Sequence, residues 1–347
     1  MKNDQIDSNT PDPAWLALAR TGDQHAFEEL VAPYRNELLV HSYRFLGSFD
    51  DAENALKETL LRAWHRLDTF EGQSSLRAWL YKISTIASLD ALDSRNRRAM
   101  SRELYTQGNP NIPLPPPANQ PAWVEPFPDS LIDQQPAIYP DARYEIRESI
   151  TLAFVAALQH LPGRQRAILL LRDVLGWNIN GITDILSMTP ALVNSTLQRA
   201  RVTIQQYWNR REQLRAILID DDLKASLLNR YVTAWETADA STLVTLLRED
   251  AILTMPPFPV WFGGHQDIQT FLETNIFKTL ADAPLRLVAT RANGSPAFAV
   301  YQLTPTGSYQ PSALHVLSLE QGQIREINDF LTSDEKLFAR FGLPALG

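Results

Sequence analysis

Apolar positions recur with a helical period in two stretches of the chain, lose all period between them, and change to strand-like alternation towards the C-terminus. In the first stretch, Phe27, Leu30, Val31, Tyr34 and Leu38 lie at i, i+3, i+4, i+7 and i+11, which is one face of a helix. Leu56, Leu60, Trp64 and Leu67 form a second stripe, and Leu76, Trp79, Leu80, Ile83 and Ala87 a third. Asp50 with Glu53 three residues on predicts a helix start ahead of the second stripe. Gly47 and Gly72 fall between the stripes, where stops and turns belong.

Ten prolines then crowd residues 101–140. Each removes a backbone donor and clashes with a preceding helical turn, so an extended linker of polyproline character is expected. Residues 123–129 place two aromatics in it. Trp123, Glu125, Phe127 and Asp129 are therefore expected to dock the linker on a domain. Helical periodicity returns over 141–215. Ile150, Phe154, Ala157, Leu158 and Leu161 form one stripe. A helix is expected over 164–175, a short one over 180–186, and a last one after Thr189-Pro190, with Val193, Leu197, Ala200 and Ile204 inward. From 218 the pattern predicts helices over 223–238 and 241–247. Strands follow at 251–255, 285–291, 297–303, 313–319 and 324–331, with turns at Asn293-Gly294 and Gln321-Gly322. An antiparallel meander with helices on one face is expected. The resulting division is 13–100, 101–140, 141–215 and 218–347: two all-α domains, a linker and an α+β domain.

Composition changes this picture in one respect. The 347 residues are 44% hydrophobic and 21% charged, an ordinary globular profile, and include no cysteine, which excludes disulfides and thiolate metal sites. The polar N-terminus and the lack of any apolar run of roughly 18 residues point to a cytoplasmic protein with no membrane partner. Net charge is −8, which alone argues against nucleic acid. Its distribution reverses the argument: residues 218–347 carry −6 of it. Arg77, Lys82, Arg95, Arg97 and Arg98 form one basic island. Arg199, Arg201, Arg210, Arg211 and Arg215 form another. Weak, salt-sensitive DNA binding by the free chain is expected.

The second island coincides with a short helix, a tight turn at 187–189 and a longer helix, the helix-turn-helix pattern. With the apolar stripe inward, Ala191, Asn194, Ser195 and Gln198 face outward, flanked by Arg199 and Arg201. Asn and Gln pair bidentately with adenine and Arg neutralises phosphate. The same residues also suit the solvated face of an ordinary bundle helix.

Two motifs resolve that choice. DAENALKETLLRAWHR (51–66) with FEGQSSLRAWLYKISTIASLDAL (70–92) resembles region 2 of sigma-70 family RNA polymerase sigma factors of the extracytoplasmic-function type. LPGRQRAILLLRDVLGWNINGITDILSMTPALVNSTLQRAR (161–201) resembles their region 4. In the tail, Met255-Pro256-Pro257, Trp261-Phe262-Gly263-Gly264 and TRANGSPAFAVY (290–301) resemble a SnoaL-like, nuclear-transport-factor-2-like domain of α+β cone shape. The resemblance implies a sigma factor that binds core RNA polymerase at the β′ clamp helices and the β flap, and reads promoter DNA. It places Asp51, Glu53, Asn54, Lys57 and Glu58 on polymerase. Asn54 and Lys57 depart from the usual Asp and Gln. It places Gly72, Gln73, Ser74, Ser75, Arg77, Lys82, Arg95, Arg97 and Arg98 on the −10 element. Asn194, Ser195, Gln198, Arg199 and Arg201 fall on the −35 element. Trp79 lies on the apolar stripe and is expected in the core, with Tyr81 left as a possible stacking platform. The Asn178–Gly181 stretch departs from the family's usual helix opening.

The tail is expected to modulate activity through a small-molecule or protein signal, with no cofactor, metal or catalytic residue. Two other readings stand beside this one. The first is a ligand-responsive DNA-binding regulator that no longer serves polymerase. The second is an enzyme using a cavity of the tail, for which His265, His315, Asp267 and Asp329 are the candidate groups.

Overall fold

The structure, a computed structural model, describes residues 12–72, 74–93, 98–118, 122–133, 149–207, 221–280 and 283–344. It divides into two compact units. One holds residues up to 97 with 131–149 and 158–204; the other holds 98–130, 150–157 and 205–347.

The first unit opens with α1 (Pro13–Arg20), α2 (Gln24–Val31), α3 (Arg35–Leu46), α4 (Phe49–His65) and α5 (Leu76–Asp93). The helix α3 stops at Gly47, whose φ of 65° needs a residue without a Cβ penalty. The next helix starts earlier than Asp50 suggests. Ser48 is the cap, its hydroxyl accepting from the Asp51 N–H at 3.3 Å, and Asp50 and Asp51 occupy the first turn, where the helix dipole favours acids. The expected stripes converge on one core of Phe27, Leu30, Val31, Tyr34, Leu38, Leu76, Leu80 and Ile83. Trp64 packs edge-on to Phe27 and Trp79 lies against Phe70, so both tryptophans serve packing.

After α6 (Leu152–Gln159), whose residues up to 157 belong to the second unit, the helix α7 (Gly163–Leu169) continues through a π turn at Leu170–Val174 and ends at Gly176 (φ 72°). Then come α8 (Ile179–Leu186) and α9 (Pro190–Tyr207). Asn178 caps α8 by accepting the Gly181 N–H at 2.8 Å. Gly181 also leaves room for Trp177, since a Cβ there would lie 3.3 Å from its ring. Thr189 caps α9 at Leu192 N, 3.3 Å away. Ile168, Leu171, Ile182, Ile185, Val193 and Leu197 make the small core that sets the two helices.

The second unit contains α10 (Asp221–Glu236), α11 (Ala240–Thr245) and α12 (His265–Phe271), which stays helical to Leu280, plus α13 (Glu335–Arg340). Its sheet runs β1-β3-β2-β7-β6-β5-β4, from β1 (Thr106–Gln107), β2 (Leu247–Thr254), β3 (Val260–Gly263), β4 (Leu285–Ala292), β5 (Ser295–Leu303), β6 (Tyr309–Glu320) and β7 (Gln323–Leu331). The strands β4 to β7 are the expected antiparallel meander. Beyond it the expectation fails: β2 runs parallel to β7, and β1 parallel to β3. Four-residue β3 and two-residue β1 are too short to show alternation in the sequence. Positive φ at Asn293-Gly294 and Gln321-Gly322 gives the two hairpin turns. Phe298, Val300, Leu317 and Ile327 on one sheet face pack with Leu253, Phe271 and Trp235 as the domain core.

Candidate functional site

On α4 the exposed positions are Asp50, Asn54, Lys57, Glu58, Leu61 and His65, a single stripe along the helix. Glu53 borders it half-buried, whereas Asp51 is buried. Glu58 is held by Arg62 at 2.6 Å, and Arg62 reaches Asp90 at 2.7 Å. The five expected polymerase residues therefore divide: three share an exposed face and Asp51 does not.

The loop before α5 has Gly72 at φ 76° with open space where a Cβ would be. Ser74 is exposed, and the Ser75 hydroxyl accepts from Ala78 N at 3.1 Å, capping α5. Arg77 lies over the Tyr81 ring and donates to both oxygens of Glu37, Nη2 to Oε2 at 2.7 Å and Nε to Oε1 at 3.0 Å. Tyr81 is buried, donating to Glu37 Oε2 at 3.1 Å and facing Trp177 at 6.0 Å between ring centres. Burial, with the Glu37 carboxylate beside it, pushes its hydroxyl well above the ordinary tyrosine range, so it stays protonated. The position left open in the sequence is thus filled by packing in this conformation. Lys82 is exposed. Gln73, Arg95 and Arg97 lie outside the described residues. Arg98 belongs to the second unit, where it donates to Trp123 O at 3.1 Å and to Glu125 at 2.9 Å.

On α9, Asn194, Ser195, Gln198 and Arg199 are exposed, and Val193, Leu197, Ala200 and Ile204 are buried. The Ser195 hydroxyl donates back to Leu192 O at 3.1 Å, and Arg199 reaches Thr196 Oγ1 at 3.2 Å. Arg201 holds Asp173 at two points, 2.6 and 2.9 Å, and that pairing raises its already high pKa. Asp173 thereby fixes the direction of Arg201 across the helix pair. Within the same unit, buried Arg166 donates to Phe45 O, to Gln159 Oε1 at 2.9 Å and to Leu161 O at 3.1 Å. Leu175 and Trp177 complete the core of the first helices. Sequence reasoning missed Glu37, Arg166 and Trp177, because only a fold brings them to Arg77, Phe45 and Tyr81.

In the second unit, Phe127–Asp129 run along the β4–β5 hairpin. Phe127 N donates to Asn293 Oδ1 at 2.8 Å, and Asn293 N donates to Phe127 O at 2.9 Å. Asn293 Nδ2 reaches Ile150 O at 2.7 Å. The buried Asp129 carboxylate takes Gly294 N at 2.8 Å and Arg291 Nε at 3.1 Å. Trp123 bridges to Ala99, half-buried.

The four tail candidates separate. His265 begins α12 without capping it, its Nε2 bonding Leu247 O at 3.1 Å, and Asp267 accepts from Gln107 at 3.0 Å. His315 and Asp329 face each other across β6 and β7, Nε2 to Oδ1 3.4 Å. The Tyr231 hydroxyl on α10, missed in the sequence, lies 2.9 Å from His315 Nδ1, and Trp235 one turn later is tilted against the imidazole with ring centres 4.5 Å apart. Burial holds His315 down at about 3 and Asp329 up at about 7, so the site favours the uncharged form of each. Among the described residues there is no cluster of metal-ligating side chains, and no helix is long and apolar enough to cross a membrane.

The comparisons with known proteins match three parts of the chain. Residues 30–98 match sigma-70 region 2, residues 151–204 match sigma-70 region 4, and residues 228–327 match a SnoaL-like domain. Over 327 residues the chain is 41% identical to the ECF RNA polymerase sigma factor SigG of Mycobacterium tuberculosis, covering 94% of this chain and 85% of that one. It is 26% identical to the RNA polymerase sigma-H factor of Pseudomonas aeruginosa, over 56% of this chain and 92% of that one. The crystal structure of the Mycobacterium tuberculosis extracytoplasmic function sigma factor SigJ has a similar fold, with a TM-score of 0.52 at 19% identity, over 92% of this chain and 99% of that one.

Proposed function

This chain belongs to the extracytoplasmic-function RNA polymerase sigma factors, and on that footing we propose how its parts divide the work of starting transcription. The protein is a sigma factor for transcription initiation with a fused SnoaL-like domain, and its partners are core RNA polymerase and promoter DNA. In our reading, Glu53, Asn54, Lys57 and Glu58 lie against the β′ clamp helices, with Asp51 supporting the helix from within. The Gly72–Ser75 loop, Arg77 and Lys82, with Gln73, Arg95 and Arg97, serve the −10 element. Asn194, Ser195, Gln198 and Arg199 read the −35 element, and Arg201 binds phosphate.

The observation that carries this reading is α9. Its apolar stripe is buried in the helix-turn-helix core, and the opposite face is polar, exposed and cationic. Such a face presents amide and guanidinium groups at the spacing of base edges and phosphates. Arg98 moves from the −10 set to the linker, because Glu125 and Trp123 already occupy it.

The tail acts in this reading as a regulator, in the cytoplasm with the polymerase. Its acidity and its hold on the linker through Asn293 and Asp129 give it a means to bias where the DNA-reading elements go. The enzymatic reading narrows to one pair: His315 and Asp329 meet at 3.4 Å, whereas His265 and Asp267 bond to Leu247 O and Gln107 instead. The test is co-elution of the full chain with core polymerase at physiological salt, for the wild type and Lys57→Glu. Wild-type co-elution with loss in the variant supports the reading; no wild-type complex contradicts it.

A further inference from the structure

The helix α9 exposes two large aliphatic side chains among its polar ones, Leu192 at 45% and Val202 at 58%, besides Tyr207 at its last position. They differ in place. Leu192 is in the first turn, tied to the Thr189 cap at 3.3 Å, and Val202 lies about 15 Å further along the axis. A helix of this type enters the major groove with its N-terminal residues, so Leu192 falls among the base edges and Val202 beyond them. Its neighbours there are Asn194, Ser195 and Arg199, all exposed.

Major-groove edges carry donors and acceptors throughout, with a single apolar group, the C5-methyl of thymine. An exposed leucine in that position has one complementary partner on DNA. We propose that Leu192 is a specificity residue of this sigma factor that packs against a thymine methyl in the −35 element. The inference rests on the reading of α9 as the −35 helix. It adds a base preference that the amide and guanidinium groups do not supply.

The experiment uses holoenzyme assembled from core polymerase and the full chain. Promoters are first selected from a library randomised through the −35 element, and each selected thymine is then replaced by deoxyuridine, which removes only the methyl. For the wild type, one such replacement weakens promoter binding roughly fourfold, the worth of one buried methyl group. In Leu192→Ala the same replacement has no effect, while Asn194→Ala alters preference at a different base. Equal deoxyuridine effects in wild type and Leu192→Ala, with Asn194→Ala still changing the selected sequence, overturn the inference and leave the reading of α9 intact. A uniform loss in Leu192→Ala on every template marks a protein contact and overturns it too. If neither Asn194→Ala nor Gln198→Ala changes the selected −35 sequence, the reading of α9 fails and the inference with it.

Discussion

Arg77 and Glu37 form a two-point ion pair, with Nη2 to Oε2 at 2.7 Å and both oxygens engaged by Nε. Arg77 is one of the cations placed on the −10 element, so its charge is already partnered in this conformation, and Glu37 also accepts from Tyr81. Promoter DNA then competes with a carboxylate for this arginine. Glu37→Gln keeps the shape and removes the competing charge. We expect it to lower the stability of the helical unit by about 1 kcal/mol, and to steepen the salt dependence of holoenzyme binding by roughly one phosphate contact. Thermal melting and a salt titration read the two effects.

Tyr81 and Trp177 predict a conformational change. Both belong to one packed unit, along with Arg166 and its bond to Phe45 O. The −10 and −35 elements are roughly 85 Å apart on B-DNA at 3.4 Å per base pair. Helices sharing a side-chain core cannot reach both, so Trp177 must leave Tyr81 on the promoter. A chain in which Trp177 is the sole tryptophan able to respond, the others replaced by Phe, is expected to show a red shift of emission when core polymerase is added. An unchanged spectrum means the unit stays closed.

How far this was legible in the sequence depends on range. The stripes at Phe27–Leu38 and Val193–Ile204 identified helices and their inward faces, because a helix reports its own period within a dozen residues. The exposed face with Asn194 and Gln198 followed from the same local signal, while the helix-turn-helix reading needed the resemblance over 161–201. Ser48 was passed over for Asp50, since several residues there satisfy the cap pattern and only backbone angles choose among them. Glu37 with Arg77, and Asn293 with Phe127, were hidden by separation: they lie 40 and 166 positions apart. The parallel partnership of β2 with β7 was hidden for the same reason.

Asn293 supports a prediction about the linker. It adopts φ 55° and makes three buried hydrogen bonds, two with Phe127 and one with Ile150. Asn293→Gly keeps the left-handed backbone and loses the side-chain bonds; Asn293→Ala loses both. Melting is expected to fall by about 2 kcal/mol for glycine and about 1 kcal/mol more for alanine. Limited proteolysis should open residues 122–130 in both.

The Asp329–His315 pair predicts two opposed pH slopes. Asp329 is raised from 3.8 to about 7, so its contribution is full below pH 4 and is lost as pH rises through about 7. His315 is lowered from 6.5 to about 3, so its contribution is present above pH 6.5 and is lost as pH falls towards 3. Between pH 4 and 6.5 the two offset each other in the wild type. Asp329→Asn should leave only the loss on acidification, and His315→Gln only the loss on going from pH 4 to 7. Denaturant melts across that range check both signs.

The most direct test of the account is run-off transcription with core polymerase, comparing the full chain, Asn194→Ala/Gln198→Ala, and a chain ended at Arg215. The account predicts a promoter-dependent transcript from the full chain, its loss at that promoter in the double variant, and a changed yield after truncation, which removes the domain that holds Phe127 and Asp129. A full chain that forms no transcript with core polymerase at its selected promoter would contradict it.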